Sequence, residues 1–178
     1  LIQAKETLYT VIREMDEEMI ERFGTMFKEI QSAFTVVFKQ LFGGGYAELK
    51  LTDPDNLLET GIDIVARPPG KKLRSLELLS GGERALTAIA LLFAILRARP
   101  IPFCILDEVD AALDEANVER FGQYLKSFSD DTQFIVITHR KGTMEEADAL
   151  YGVTMQESGV SRLVSVKLED MDELVAAH

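Results

Sequence analysis

Residues 79–86 read LSGGERAL, so a hydroxyl and two glycines stand at the start of an apolar helix. A second stretch, FCILDE at 103–108, predicts a buried strand that ends in two carboxylates. The first amides of a helix have no internal acceptor and carry partial positive charge, so they favour an anion. The two stretches together predict nucleotide hydrolysis on an α/β fold. The sequence contains no G-x-x-x-x-G-K-[ST] phosphate loop, so it supplies only half of such a site.

The composition is that of a globular, acidic chain. It has 178 residues, 47% of them hydrophobic, and a net charge of −11 at pH 7. This length can bury a core and predicts one domain. The negative charge opposes contact with nucleic-acid phosphates, so we expect another segment to carry most of any DNA binding. The single cysteine, Cys104, is typical of a reducing cytoplasm, and no apolar run is long enough for a membrane span.

A long helix is predicted over residues 1–42. It either packs on a core along its whole length or forms the root of an antiparallel coiled coil whose other strand lies outside this chain. The chain starts without Met, so we expect it to be cut from a longer protein, which favours the coiled coil. The apolar positions that recur at steps of three or four are Leu8, Ile12, Met15, Met19, Phe23, Met26, Ile30, Phe34, Val37 and Leu41.

Two hairpins are predicted from alternating apolar residues. The glycines at 43–45 are interpreted as a helix stop, because no Lys-Ser or Lys-Thr follows them. Residues 48–52 and 61–66 then form one strand pair, and residues 153–156 and 160–168 form another.

Strand–helix alternation from residue 80 predicts a mostly parallel sheet flanked by helices. The all-apolar runs at 103–106 and 134–137 are typical of strands covered on both faces, and a helix is expected at 115–128 between them. Residues 43–168 would form this α/β lobe, and 169–178 a tail without assigned function.

Three polar side chains at the predicted strand ends carry the chemistry. Asp107 would hold a hydrated Mg²⁺, and Glu108 would polarise the water that attacks the γ-phosphate of ATP. His139 ends the neighbouring strand and could orient that water. Each has an ordinary structural alternative when taken alone: an acidic loop for the carboxylates, and a strand-end histidine without function.

The order of the motifs resembles the ABC ATPase superfamily. The residues 79–83, 105–108, 110–114 and 138–139 are similar to its signature, Walker B, D-loop and H-loop. The run DEVDAALD at 107–114, with the residues after His139, narrows the resemblance to bacterial structural maintenance of chromosomes (SMC) proteins. The signature residues are Leu79, Ser80, Gly81, Gly82 and Glu83, and the D-loop residues are Asp110, Ala111, Ala112, Leu113 and Asp114.

The resemblance implies the C-terminal lobe of an SMC head, completed by an N-terminal lobe that carries Walker A. Two such heads would sandwich two ATPs, with each signature motif contacting the ATP of the opposite head. Asp107, Glu108 and His139 would serve the ATP of their own head, and residues 110–114 would lie along the head–head contact. A kleisin subunit, and DNA through the whole assembly, are the further implied partners. The expected location is the cytoplasm, at the bacterial nucleoid.

Three alternatives remain. A DNA-repair ATPase with coiled coils has similar motifs, although the residues around Asp110 and after His139 argue against it. A transporter ATP domain fits less well, because of the long first helix and Glu83. A non-enzymatic scaffold that keeps the fold and binds a partner would not need Asp107, Glu108 and His139.

Overall fold

The computed structural model describes residues 2–72, 74–129, 132–157 and 159–167. It divides into two compact units between Ile101 and Pro102, where the length had predicted one domain. Pro100 and Pro102 bracket this point, and proline cannot continue a helix or donate to a strand ladder. The predicted tail at 169–178 lies outside the described residues. No described helix is both long enough and apolar enough to cross a bilayer.

The first unit packs two helices and a small antiparallel sheet. Strand β1 pairs with β2 from Tyr46 opposite Arg67 to Leu51 opposite Ile62, which confirms the first predicted hairpin. The elements are α1 (Ile2–Leu41), β1 (Tyr46–Leu51), β2 (Ile62–Arg67), β3 (Arg74–Ser75), a 3₁₀ turn (Leu76–Leu78) and α2 (Gly81–Ala98).

Helix α1 is buried only at its C-terminal end. Phe34, Val37, Phe38 and Leu41 are fully buried, where α1 packs on α2 and β1. The first half of the apolar stripe is instead exposed, with Leu8 61% and Met15 57% accessible. The helix therefore does not pack on the described core along its whole length.

A glycine run ends α1, as predicted. The backbone φ angles of Gly43, Gly44 and Gly45 are 66°, 142° and 78°, a region that side chains with a Cβ rarely adopt. A Cβ on Gly45 would also collide with the carbonyl oxygen of Arg67. The run is thus the turn that feeds β1, as the sequence indicated.

The second unit contains a parallel strand pair with its crossover helix, followed by a hairpin. Asp114 caps α3, with its Oδ1 accepting the Asn117 amide at 2.9 Å, and Val118 and Phe121 are fully buried beneath it. The elements are β4 (Phe103–Asp107), α3 (Glu115–Phe128), β5 (Gln133–Ile137), α4 (Lys141–Met144), β6 (Ala149–Glu157) and β7 (Val160–Lys167).

The prediction of a mostly parallel sheet is wrong for the described residues. Only β4 and β5 run parallel, whereas β1–β2–β3 and β6–β7 are antiparallel sheets. A parallel pair needs a long crossover connection, and α3 is the only helix that links two paired strands in the described chain.

The prediction that β4 and β5 are covered on both faces is also wrong. Leu106 is buried, but Phe103 and Ile105 are 55% and 58% exposed. Their neighbours on β5, Ile135 and Ile137, are 48% and 52% exposed. The described residues therefore cover one face of this pair and leave an apolar face, which we call the open face: Phe103, Ile105, Ile135 and Ile137.

Candidate functional site

The signature residues form a capped helix start in the first unit. Ser80 is the N-cap of α2, and its Oγ accepts the Glu83 amide at 3.3 Å. Glu83 reaches back, with Oε2 accepting the Ser80 amide at 3.0 Å and the Ser80 hydroxyl at 2.9 Å. Leu79 is buried before the cap. Gly81 is exposed, and a Cβ there would meet open space, so the backbone is accessible. As the first helical residues, Gly81 and Gly82 have amides without an intrahelical acceptor, which suits an approaching anion.

Lys71 joins this cap, a role that the sequence alone did not indicate. Its Nζ lies 2.7 Å from Glu83 Oε1. The Lys71 ammonium is the largest cause that holds the pKa of Glu83 below its ordinary value of 4.5, against the opposing effect of burial, and the hydrogen bonds from Ser80 add to it. The ion pair therefore keeps Glu83 in its charged, cap-forming state to a lower pH than an unpaired glutamate would stay charged.

Replacing Lys71 with Met should raise the pKa of Glu83 towards 4.5, as followed by NMR titration of its carboxyl group. A carboxylate with a lowered folded pKa stabilises the fold above its unfolded pKa and loses that contribution as the pH falls through the folded value. The free energy of unfolding of wild type should exceed that of Lys71→Met by less than about 1 kcal/mol, because the lysine of the pair is 52% exposed. This difference should be lost only in acid. Lys72→Met is the matched control, and an equal shift in the pKa of Glu83 there would contradict the assignment.

The catalytic candidates Asp107 and Glu108 lie at the carboxyl end of β4. Asp107 is in register with Ile137 of β5, and the Glu108 amide donates to the Ile137 carbonyl at 2.9 Å. Both carboxylates are exposed. Glu108 has a φ of 48°, and it is the only non-glycine residue with positive φ in the described chain. A non-glycine residue in this region costs of order 1–3 kcal/mol, and such strain clusters at functional sites.

His139 follows the neighbouring strand end. It is exposed and lies two residues beyond Ile137. Paired strands are about 4.8 Å apart, and the hydrogen bond from the Glu108 amide to the Ile137 carbonyl places the Glu108 backbone beside the end of β5, two residues before His139. The structure thus brings Asp107, Glu108 and His139 to one end of one strand pair, as predicted.

The segment 110–114 is not uniformly a surface loop. Ala111, Ala112 and Asp114 are exposed and remain available for the predicted head–head contact. Asp110 is 0% exposed and Leu113 3%, so neither side chain offers surface to another molecule.

Three polar residues hold this segment: Thr138, which the sequence placed only in the H-loop resemblance, and Arg140 and Thr143, which it did not assign to the site. Thr138 and Thr143 donate hydroxyl hydrogen bonds to Asp110 Oδ2 at 2.7 and 2.5 Å. Arg140 Nη2 donates to the Leu113 carbonyl at 3.1 Å. The one available signal was the Thr138 hydroxyl directly after a strand, a position where threonine often bonds the backbone two residues on.

A divalent cation would find few ligands in the described residues. No group of three or more His, Cys, Asp or Glu there could hold a metal ion. Mg²⁺ commonly keeps several waters and takes one or two carboxylates together with substrate phosphates. The single exposed carboxylate of Asp107 fits that limited role.

The fold and the site define a class of protein, the SMC head. A Pyrococcus furiosus structure, an Smc head domain with an extended coiled coil bound to the C-terminal domain of ScpA, aligns with a TM-score of 0.82 and 41% identity over 97% of this chain and 43% of that one. A second structure comes from work on the structural biochemistry of ATP-driven dimerization and DNA stimulated activation of SMC ATPases. It aligns with a TM-score of 0.78 and 41% sequence identity, over 89% of this chain and 96% of that one.

The sequence comparisons identify the family. The model for the RecF/RecN/SMC N terminal domain matches residues 10–162. The chain belongs to the RecF/RecN/SMC family. The chromosome partition protein Smc of Bacillus subtilis is 71% identical over 175 residues, which is 98% of this chain. The chain spans about 15% of the length of that relative.

Proposed function

We propose that the chain is the C-terminal lobe of an SMC head and works as half of a magnesium-dependent ATPase used in chromosome partition. The observation that carries the proposal is the end of the β4–β5 pair, where Asp107 is in register with Ile137 and the Glu108 amide bonds the Ile137 carbonyl, two residues before His139. The order of signature, Walker B, D-loop and H-loop, without a Walker A sequence, supports the C-terminal assignment.

Glu108 is the proposed general base for the attacking water. Its carboxylate is exposed at the strand end, and its positive φ supports a functional position, since backbone strain of this kind clusters at active sites. A positioned carboxylate can accept the proton of the water as the water attacks. His139, from the adjacent strand end, would donate a hydrogen bond that orients the water or a phosphate oxygen.

Asp107 would contribute one oxygen ligand to Mg²⁺. A cation held there would supply positive charge that neutralises the phosphates of ATP. No group of three or more metal-binding side chains occurs among the described residues, so water and ATP would have to supply the other ligands.

The signature residues would act on ATP held by a second head. The amides of Gly81 and Gly82 point to an anion at the α2 N-terminus. In this structure the Ser80 hydroxyl donates a hydrogen bond to the Glu83 carboxylate. To donate to a phosphate instead, the hydroxyl would turn its O–H towards the phosphate and continue to accept the Glu83 amide. Ala111, Ala112 and Asp114 are the exposed D-loop residues for the same contact.

The open face is the surface on which the N-terminal lobe would pack. Parallel strands are normally covered on both faces, and Phe103, Ile105, Ile135 and Ile137 lack that cover here. The exposed first half of α1 similarly supports a coiled-coil partner strand for residues 1–42.

The remaining proposed partners come from the relatives. The P. furiosus head is bound to ScpA, so we propose a kleisin subunit for this chain as well. Because this lobe has a net charge of −11, other parts of the assembly would make most of the DNA contacts. The assembly would act at the nucleoid, in the cytoplasm.

The test is magnesium-dependent ATP hydrolysis by this chain alone and after mixing with the N-terminal head fragment that carries Walker A. We expect turnover only in the mixture, because nothing in this sequence cradles the β-phosphate. Turnover by the chain alone would reveal a different nucleotide site. No turnover in either sample, despite stable association of the two fragments, would favour the scaffold alternative.

A further inference from the structure

The second unit buries a carboxyl group, that of Asp110, whose hydrogen bonding is incomplete. It is fully buried, and its Oδ2 accepts two threonine hydroxyls. Its Oδ1 is also buried and has no hydrogen-bond partner among the described residues. A buried polar atom without a partner costs stability, so the fold alone gives little reason for a carboxylate here.

We propose that Asp110 is a positioning residue that locks the D-loop to the segment carrying His139, so that contact at the D-loop sets the geometry of the catalytic end. This inference rests on the proposed function of Glu108 and His139. We call the set of contacts the D–H clamp: Asp110 with Thr138 and Thr143, and Arg140 with Leu113.

One half of the D–H clamp fixes the turn around His139. The Thr138 hydroxyl donates to Asp110 and accepts the Arg140 amide at 2.9 Å. These two bonds use both roles of the hydroxyl and close the chain around His139. Moving Asp110 would therefore release the turn that presents the histidine.

The other half fixes the loop that leaves Glu108. The Ala111 amide donates to the Glu108 carbonyl at 3.1 Å, and the Leu113 amide donates to the Asp110 carbonyl at 3.0 Å. Two successive turns thus connect Glu108 to the clamped residues. Arg140 adds a second tie through the Leu113 carbonyl.

Through the clamp, the exposed residues Ala111 and Ala112 are connected by hydrogen bonds to the segments that carry Glu108 and His139. They lie between Asp110 and Leu113, which are both buried and both tied to the His139 segment. A partner that presses on these alanines would shift the buried residues on either side, and with them Glu108 and His139. A surface contact would in this way be coupled to hydrolysis rather than to ATP affinity.

The test uses the full-length protein that carries this chain, with Thr143→Val and Thr143→Ser. Thr143 lies on α4, and its hydroxyl bonds Asp110. Valine should lower kcat on the order of tenfold, because small misplacement of catalytic groups is costly. The KM for ATP and ATP-driven head pairing should not change, and serine should restore kcat.

Controls separate positioning from folding. Thr35→Val removes a hydroxyl hydrogen bond of 2.8 Å to the Ala47 carbonyl in the first unit, and its kcat should equal wild type. If Thr143→Val fails to fold, Arg140→Met removes the second tie at a half-buried site and should give the same loss confined to kcat. An unchanged kcat in the folded clamp variants, or a loss matched by equal loss of head pairing, would overturn the inference.

Glu108→Gln, measured together with these variants, distinguishes failure of the proposed function from failure of the clamp inference. If it hydrolyses ATP like wild type, the proposed function fails. If it is inactive while Thr143→Val is fully active, only the clamp inference fails.

Discussion

Glu108→Gln should lower ATP turnover by about 10²–10⁴-fold, the usual contribution of a positioned general base. The amide has nearly the shape of the carboxylate but cannot take a proton from water. The Glu108 side chain is exposed, so the substitution should leave stability nearly unchanged. Nucleotide binding and ATP-driven head pairing should persist, because neither needs proton transfer.

The measurement is steady-state hydrolysis together with nucleotide-dependent pairing of the full-length protein. Glu145→Gln is the matched control, since it makes the same chemical change on the same unit at an exposed surface ion pair with Lys141. Its turnover should stay within about twofold of wild type, as exposed pairs contribute little. Equal activity of wild type and Glu108→Gln would remove Glu108 from the mechanism and leave its backbone strain without a catalytic explanation.

Local structure in this chain could be predicted from the sequence, because short-range chemistry specifies it. Helix α3 occupies Glu115–Phe128 as predicted, with the Asp114 cap at its start. The glycines at 43–45 adopt the positive φ that ends α1. The hairpin of β1 and β2 follows from alternating residues on either side of a turn.

Burial could not be predicted, because it depends on what covers a residue. Ile105 and Ile137 belong to runs typical of a strand covered on both faces, yet they are more than 45% exposed. An apolar pattern shows that a face needs cover, but not whether the same chain supplies it. For this reason the open face is informative: it indicates a missing layer.

The contacts of the D–H clamp could not be predicted from the sequence either, for a different reason. The DAALD sequence gives Asp110 and Asp114 the same residue type, but only Asp110 is buried. Its partners Thr138 and Thr143 are 28 and 33 residues away in the chain. Spacing alone cannot reveal such contacts, because α3 and β5 must fold before the three residues meet.

Ser80→Arg should abolish ATP-driven pairing of full-length heads and, with it, nearly all hydrolysis. The substitution removes the hydroxyl, breaks the capping box with Glu83, and puts a bulky side chain beside the exposed backbone of Gly81. Loss of the cap alone would cost about 1 kcal/mol of stability, so the fold should survive. Ser80→Ala, which loses the cap without adding bulk, is the control for that smaller effect.

Mixing inactive Ser80→Arg heads with inactive Glu108→Gln heads tests whether the signature acts across the pair. In a two-fold symmetric pair, each ATP would use Glu108 of one head and Ser80 of the other. A mixed pair then keeps one site with both residues intact. Random mixing makes about half of the pairs mixed, so about a quarter of wild-type activity should return.

The double variant Ser80→Arg, Glu108→Gln mixed with wild type is the matched arrangement. Its mixed pairs carry one altered residue in each site, so they should add no activity beyond that of the wild-type pairs. Recovery in this mixture, with none in the mixture of single variants, would mean that Ser80 and Glu108 serve the ATP of the same head. Under the proposed arrangement both mixtures should show about a quarter of wild-type activity, because about a quarter of the pairs in the double-variant mixture are wild type. If Ser80 and Glu108 instead served the ATP of the same head, the mixture of single variants would be inactive and the double-variant mixture would keep about half of wild-type activity.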